Sequence, residues 1–143
     1  MKRFISTALL ALIALVGCQT DTVPPLLDVA YAGRLSDEPV LVQVFSVSGK
    51  SDKAIKDAIV RAATVRQWEV TQLDDGSIQT KLQHRSSDST LWFTCENGQV
   101  EIHSVSYEID KNTLVRKKRA EPTTWIRNLH KDVLVILGVL PTS

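Results

Sequence analysis

Leu91-Trp92-Phe93-Thr94-Cys95-Glu96-Asn97-Gly98-Gln99-Val100-Glu101-Ile102 is the stretch that decides the fold of this chain. Asn and Gly both tolerate positive φ, which a type I′ turn demands at its two central positions, and that turn has the twist of an antiparallel pair. Asn97-Gly98 therefore predicts a hairpin between residues 91–96 and 99–110. Closing the turn there sets Cys95 opposite Val100 and Phe93 opposite Ile102. Alternation sends Leu91, Phe93 and Cys95 to one face and Trp92 to the other, beside Glu101 and His103. Beyond Ile102 the apolar positions change phase, to Val105, Tyr107 and Ile109, and one extra residue near His103-Ser104 would account for it, so a bulge is expected there.

Just upstream, Asp74-Asp75-Gly76 is a good three-residue loop, with Gly76 in the left-handed position. It joins Trp68-Glu69-Val70-Thr71-Gln72-Leu73 to a strand running on to Arg85, with Val70 opposite Thr80 and Trp68 opposite Leu82. Trp68, Val70, Ile78 and Leu82 then share an apolar face, and Glu69, Thr71, Gln79, Lys81, Gln83 and Arg85 share a wet one. Further out, the β-branched run of residues 40–47, bounded by Pro39 and Gly49, reads as a strand. Ser51 caps a helix with Asp52 in its first turn, and Ile55, Ala58, Ile59, Ala62 and Val65 form its apolar stripe. Glu121-Pro122 opens a last helix, with Trp125, Leu129, Val133, Ile136, Leu137 and Leu140 along one side, ended by Gly138 and Pro141. The order β-α-β-β-β-β-α implies an α+β fold: a two-layer sandwich whose largely antiparallel sheet carries both helices on one face.

The N-terminal end carries an address. Lys2 and Arg3 precede an apolar stretch, residues 4–16, interrupted only by Ser6 and Thr7. That is the shape of a secretory signal and too short for a comfortable membrane span. It ends in Leu15-Val16-Gly17-Cys18, which resembles the bacterial lipobox, whose cysteine sulfur receives a diacylglycerol. The reading divides the chain into a signal peptide over residues 1–17, a lipidated cysteine and tether over 18–38, and an α+β domain over 39–143. Two or three acyl chains make such anchoring effectively permanent. Aspartate directly after the cysteine commonly retains lipoproteins at the inner membrane, and Gln19 here implies the periplasmic face of the outer membrane. The tether, with Pro24, Pro25 and Gly33, shows no sustained period.

From residue 42 to residue 140 the chain resembles a family of small bacterial lipoproteins to which no activity is assigned. The shared features are Ala58-Ile59 through Arg66-Gln67-Trp68, the strand start Gly76-Ser77-Ile78, the strand end Val105-Ser106-Tyr107, and Trp125-Ile126-Arg127-Asn128-Leu129 opening the final helix. Where that family has a Tyr-Asn pair before the helical tryptophan, this chain has Thr123-Thr124.

Composition narrows function further. With 17 Lys and Arg against 16 Asp and Glu in 143 residues, there is no strongly basic field for nucleic acid, and an envelope location excludes that partner as well. Cleavage before Cys18 leaves 126 residues and a net charge of −1. Cys95 is then the only thiol, so no internal disulfide forms, and its phase with Leu91 and Phe93 makes it a small core residue. His84, His103 and His130 show no ligand spacing and read as surface or edge residues, so no metal is expected. No cofactor motif and no catalytic set stands out; Asp74-Asp75 serves a turn.

Two candidates for interaction remain. Arg116-Lys117-Lys118-Arg119, within a polar connector over residues 112–120, reads as a solvated loop or as a contact for anionic lipid or an acidic partner. Trp92 is either covered by the tether's Leu26-Leu27 or, if bare, is an interface anchor. The function expected is a non-catalytic binding or assembly module of the cell envelope, held to the membrane through Cys18 and meeting an envelope protein or anionic lipid. The alternative is an envelope enzyme whose residues assemble only in three dimensions.

Overall fold

The computed structural model describes Val23, residues 25–27 and residues 36–141; the leader, Cys18 and most of the tether lie outside the described residues. It is an α+β sandwich, as the order of elements implies. Strand β1 (Val40–Ser46) is followed by helix α1 (Asp52–Val65), then β2 (Glu69–Gln72), β3 (Ile78–His84), β4 (Ser87–Glu96), β5 (Gln99–Ile109), β6 (Arg116–Arg119) and helix α2 (Thr123–Ile136). The six-stranded sheet runs β1-β5-β4-β3-β2, all neighbours antiparallel, and β6 also pairs with β5.

Local chemistry sets the hairpins where expected. Asn97 and Gly98 have φ of 51° and 76°, and Cys95 faces Val100 while Phe93 faces Ile102. A Cβ on Gly98 would stand 2.9 Å from the Val47 carbonyl oxygen, so close approach as well as conformation requires glycine there. Gly76 takes the left-handed position (φ 81°), with Val70 opposite Thr80.

Four expectations need correction. The bulge falls in β1, between Leu41 and Gln43, and the β4/β5 register runs unbroken past His103 and Ser104. The phase change in β5 has another cause. Val100 and Ile102, followed by Ser104 and Ser106, face the helices, while Val105, Tyr107 and Ile109 form a second small core on the opposite face, with Trp92 packed against it. Next, β4 starts at Ser87 and not at Leu91. Its Ser-Asp-Ser opening lacks apolar alternation, yet Ser89 is buried opposite Ser106.

The other two corrections concern the end of the chain. The basic run of residues 116–119 is a strand rather than part of a connector. In α2, Pro122 sits at the N-cap, and the buried side is Ile126, Leu129, His130, Val133 and Leu134. That stripe is turned by one residue from the expected one, which leaves Trp125 half-buried at the rim.

The main core lies between the sheet and both helices, from Val42 and Phe45 through Ile55, Ile59, Leu91, Ile102 and Ile126 to Leu137. Ser51 caps α1 as expected, accepting from the Ala54 amide at 3.2 Å. Asp52 does more than complement the helix dipole, because its carboxylate accepts from the Asn97 and Gly98 amides at 2.9 and 2.7 Å. It thereby ties the start of α1 to the β4/β5 turn, and those amides hold its pKa below the usual carboxylate range.

Candidate interaction surface

Helices cover one face of the sheet, so the site question concerns the other. Strand pairing places Leu41, His103, Trp92, Gln79 and Thr71 in one row across five strands. Beside it run Val44, Glu101 and Thr94 on one flank, and Val105, Thr90, Lys81 and Glu69 on the other. Trp92 stands in the middle of this face, half-buried, and Leu26, expected as its cover, lies elsewhere. Leu26 packs into the main core instead, and the Leu27 amide donates to the Val42 carbonyl at 2.8 Å.

One end of the open face is closed by β6 and residues 36–38. Tyr107, 1% exposed, donates its hydroxyl to the Ser36 carbonyl at 2.7 Å and to the Asp37 carboxylate. The Arg116 guanidinium lies 4.1 Å from the Tyr107 ring centroid and pairs with Asp37 at 2.9 Å and with Asp88 at 3.2 Å. The Tyr107 hydrogen bond, more than the Arg116 charge, holds Asp37 below the usual carboxylate range. Burial, and then Asp37 itself, push the Tyr107 phenol up.

The same arrangement accounts for the basic run. Lys117 pairs with Asp110 at 3.3 Å and Lys118 with Glu108 at 3.1 Å. Arg119 turns inward, 7% exposed, to donate to the Ser36, Glu38 and Ser104 carbonyls, with Glu121 at 3.7 Å. Four adjacent cations thus have acids beside them within the fold; Arg116, Lys117 and Lys118 stay exposed, on a strand and not in a loop, and Arg119 belongs to the packing. Of the candidates from sequence, Trp92 and Arg116 share the second face around Tyr107, whereas Lys117 and Lys118 lie on the outer strand. Cys18 is outside the described residues.

Cys95 is half-buried rather than a fully enclosed core residue. Its Sγ lies 3.6 Å from Asp52 Oδ1, and burial, with the Asp52 charge beside it, pushes the thiol up to about 11. At neutral pH it is a thiol and no nucleophile. The polar cleft it borders, about 570 Å³ and lined by Lys56, Asp75, Ser77, Glu96 and Glu101 among others, therefore holds no activated sulfur.

The histidines are not brought together. His84 meets Trp125 edge-on at 6.1 Å, and His103 lies on the open sheet face. Among the described residues no three His, Cys, Asp or Glu side chains are placed to hold a metal ion. His130 corrects the surface-or-edge expectation. It is 1% exposed and stacked on Phe45 with ring centroids 3.7 Å apart, its Nδ1 without a hydrogen-bond partner among the described residues. Burial lowers its pKa to about 4, from 6.5.

That shift predicts an acid limb in the stability. Between those values the unfolded chain takes up a proton that the folded core refuses, so stability is complete above about pH 6.5 and falls as the pH drops toward 4. From pH 7 to pH 5 the loss is about 2 kcal/mol, set against the ordinary carboxylates, which titrate lower. Urea melts at the two pH values should show it, and His130→Phe, which keeps a ring on Phe45, should remove most of that difference. An unchanged slope in the variant would place the titrating group elsewhere.

Comparisons with known protein families, curated proteins and solved structures return no match to this chain.

Proposed function

We propose that this protein is an outer-membrane lipoprotein, held through Cys18 on the periplasmic side, and a non-catalytic module that binds or assembles another component of the cell envelope. The observation that carries the binding role is the asymmetry of the sheet: both helices pack on one face, and the other presents Trp92 among Gln79, Thr90, His103 and Glu101. A rigid aromatic ring ringed by hydrogen-bonding groups is the composition of an interface centre. The anchor rests on the lipobox-like Leu15-Val16-Gly17-Cys18 behind its short apolar leader. Among the described residues no helix is long and apolar enough to cross a membrane.

Two measurements test the halves separately. A palmitate analogue fed to cells should label the wild-type chain, and Cys18→Ser should abolish the label and leave an uncleaved precursor. Label that survives the substitution would sink the anchor. For the binding role, a photoreactive residue at Gln79 or Thr94 should capture one discrete envelope protein in living cells. Trp92→Ala should lower that capture about tenfold or more, as truncating an interface anchor does. Capture unaffected by Trp92→Ala would remove this face from the proposal.

A further inference from the structure

We infer that the outer surface of the helix layer is a docking face for an anionic phospholipid bilayer. The basic strand β6 is not that face, because its charges are matched internally. Among the described residues, cations without an ion pair do lie on the helix layer. Along α1 the exposed residues Lys53, Asp57, Arg61 and Val65 recur every four positions, and along α2 the exposed Arg127 and Lys131 lead at the same spacing to the half-buried Val135. The two acids of this surface, Asp57 and Asp132, are already paired with Lys53 and Arg66. Arg61, Arg127 and Lys131 have no ion pair among the described residues.

Between the two helices, at the end where the stripes reach Val65 and Val135, runs a shallow groove of about 670 Å³ lined also by Arg61, Arg66, Asp132 and Ile136. Val65 is 73% exposed there. Apolar side chains beside unpaired guanidinium and ammonium groups match a phospholipid surface, with acyl carbon beneath and phosphate above. The open sheet face has the opposite character, with Glu69 and Glu101 against Lys81. Docking through the helices leaves Trp92 pointing away from the membrane, free for a partner. This orientation rests on the lipid attachment proposed above, which fixes the chain to the bilayer without choosing the side that faces it.

The test uses the full-length chain carrying Cys95→Ser and one nitroxide, at Val65→Cys or at Gln79→Cys. It is attached to vesicles of phosphatidylcholine alone or of phosphatidylcholine and phosphatidylglycerol in equal parts. Flotation and the acyl content of Cys18 report the anchor independently of docking. On the anionic vesicles, the position 65 label should lose accessibility to a water-soluble nickel chelate about fivefold or more, while the position 79 label stays accessible on both. Replacing Arg61, Arg127 and Lys131 with Gln should restore access, since each cation near an anionic surface changes the docking constant about fivefold. The inference is overturned if an attached chain shows equal access on the two kinds of vesicle, or if the Gln variant stays protected. Protection that appears only when envelope proteins are added would assign the face to a protein instead.

Discussion

Arg119→Gln lowers the free energy of unfolding by about 3 to 5 kcal/mol, the cost of removing one member of a buried charged pair. The guanidinium joins three segments: the Ser36 and Glu38 carbonyls ahead of β1, the Ser104 carbonyl of β5, and the Glu121 carboxylate ahead of α2. Without it, Glu121, whose side chain is 9% exposed, loses the guanidinium that lies 3.7 Å from its carboxylate. Arg119→Lys should recover little, because a single ammonium cannot span the fork of carbonyls that a planar guanidinium reaches. Arg119→Gln combined with Glu121→Gln should recover part of the loss, because the carboxylate that faced the guanidinium goes with it. Gln at Arg116, Lys117 or Lys118 should cost less than about 1 kcal/mol each, as exposed ion pairs do. Urea melts of these variants measure it, and a loss below about 1 kcal/mol for Arg119→Gln would return residue 119 to the surface.

The two hairpins are legible because turn chemistry is local: Asn97-Gly98 and Asp74-Asp75-Gly76 name their own conformations, and pairing follows outward from them. Strand β6 has no such mark. Four cations in a row show no apolar alternation, and the acids beside them lie on other segments, Asp37 and Asp88 far off in the chain and Glu108 and Asp110 at the end of β5, meeting them only once β5 and β6 pair. The β5 phase change was visible, but a bulge and a second covered face leave the same trace in a sequence. What separates them is the cover itself, supplied by Arg116, Arg119 and residues 36–38. His130 is obscured for a related reason, since its burial depends on Phe45 of the distant β1 offering a ring to stack upon.

For the open face, the alternation that places Trp92 opposite Phe93 was enough to find the residue. That Leu26 packs against the main core and not on Trp92 is a long-range contact that alternation does not show. Cys95 shares the phase of Leu91 and Phe93, yet the Asp52 carboxylate that bridges to the Asn97-Gly98 turn lies beside it, and the thiol sits at the core's edge.

Trp68→Ala should cost about 3 to 5 kcal/mol, the range for truncating a large buried ring. Trp68 is 5% exposed at the junction where α1 gives way to β2. The chain leaves the helix through Gln67, at φ 63°, and the Trp68 and Gln67 amides return to the Ala63 and Thr64 carbonyls at 3.0 Å. Those bonds form the closing motif of a helix C-terminus and aim the indole under α2. Trp125 meets it edge-on, with ring centroids 6.0 Å apart. The two tryptophans are not equivalent, although the sequence places both on apolar faces: Trp125 is half-exposed, so Trp125→Ala should cost about 1 to 2 kcal/mol, chiefly the aromatic contact and the cover it gives. The double variant should cost less than the sum of the single ones by about 0.5 to 1.5 kcal/mol, the worth of an edge-to-face pair. Denaturant melts of the four chains supply every quantity. Equal losses at the two positions would mean that α2 sits turned toward the stripe through Trp125, and a loss below about 1 kcal/mol at Trp68 would detach the start of β2 from the core altogether.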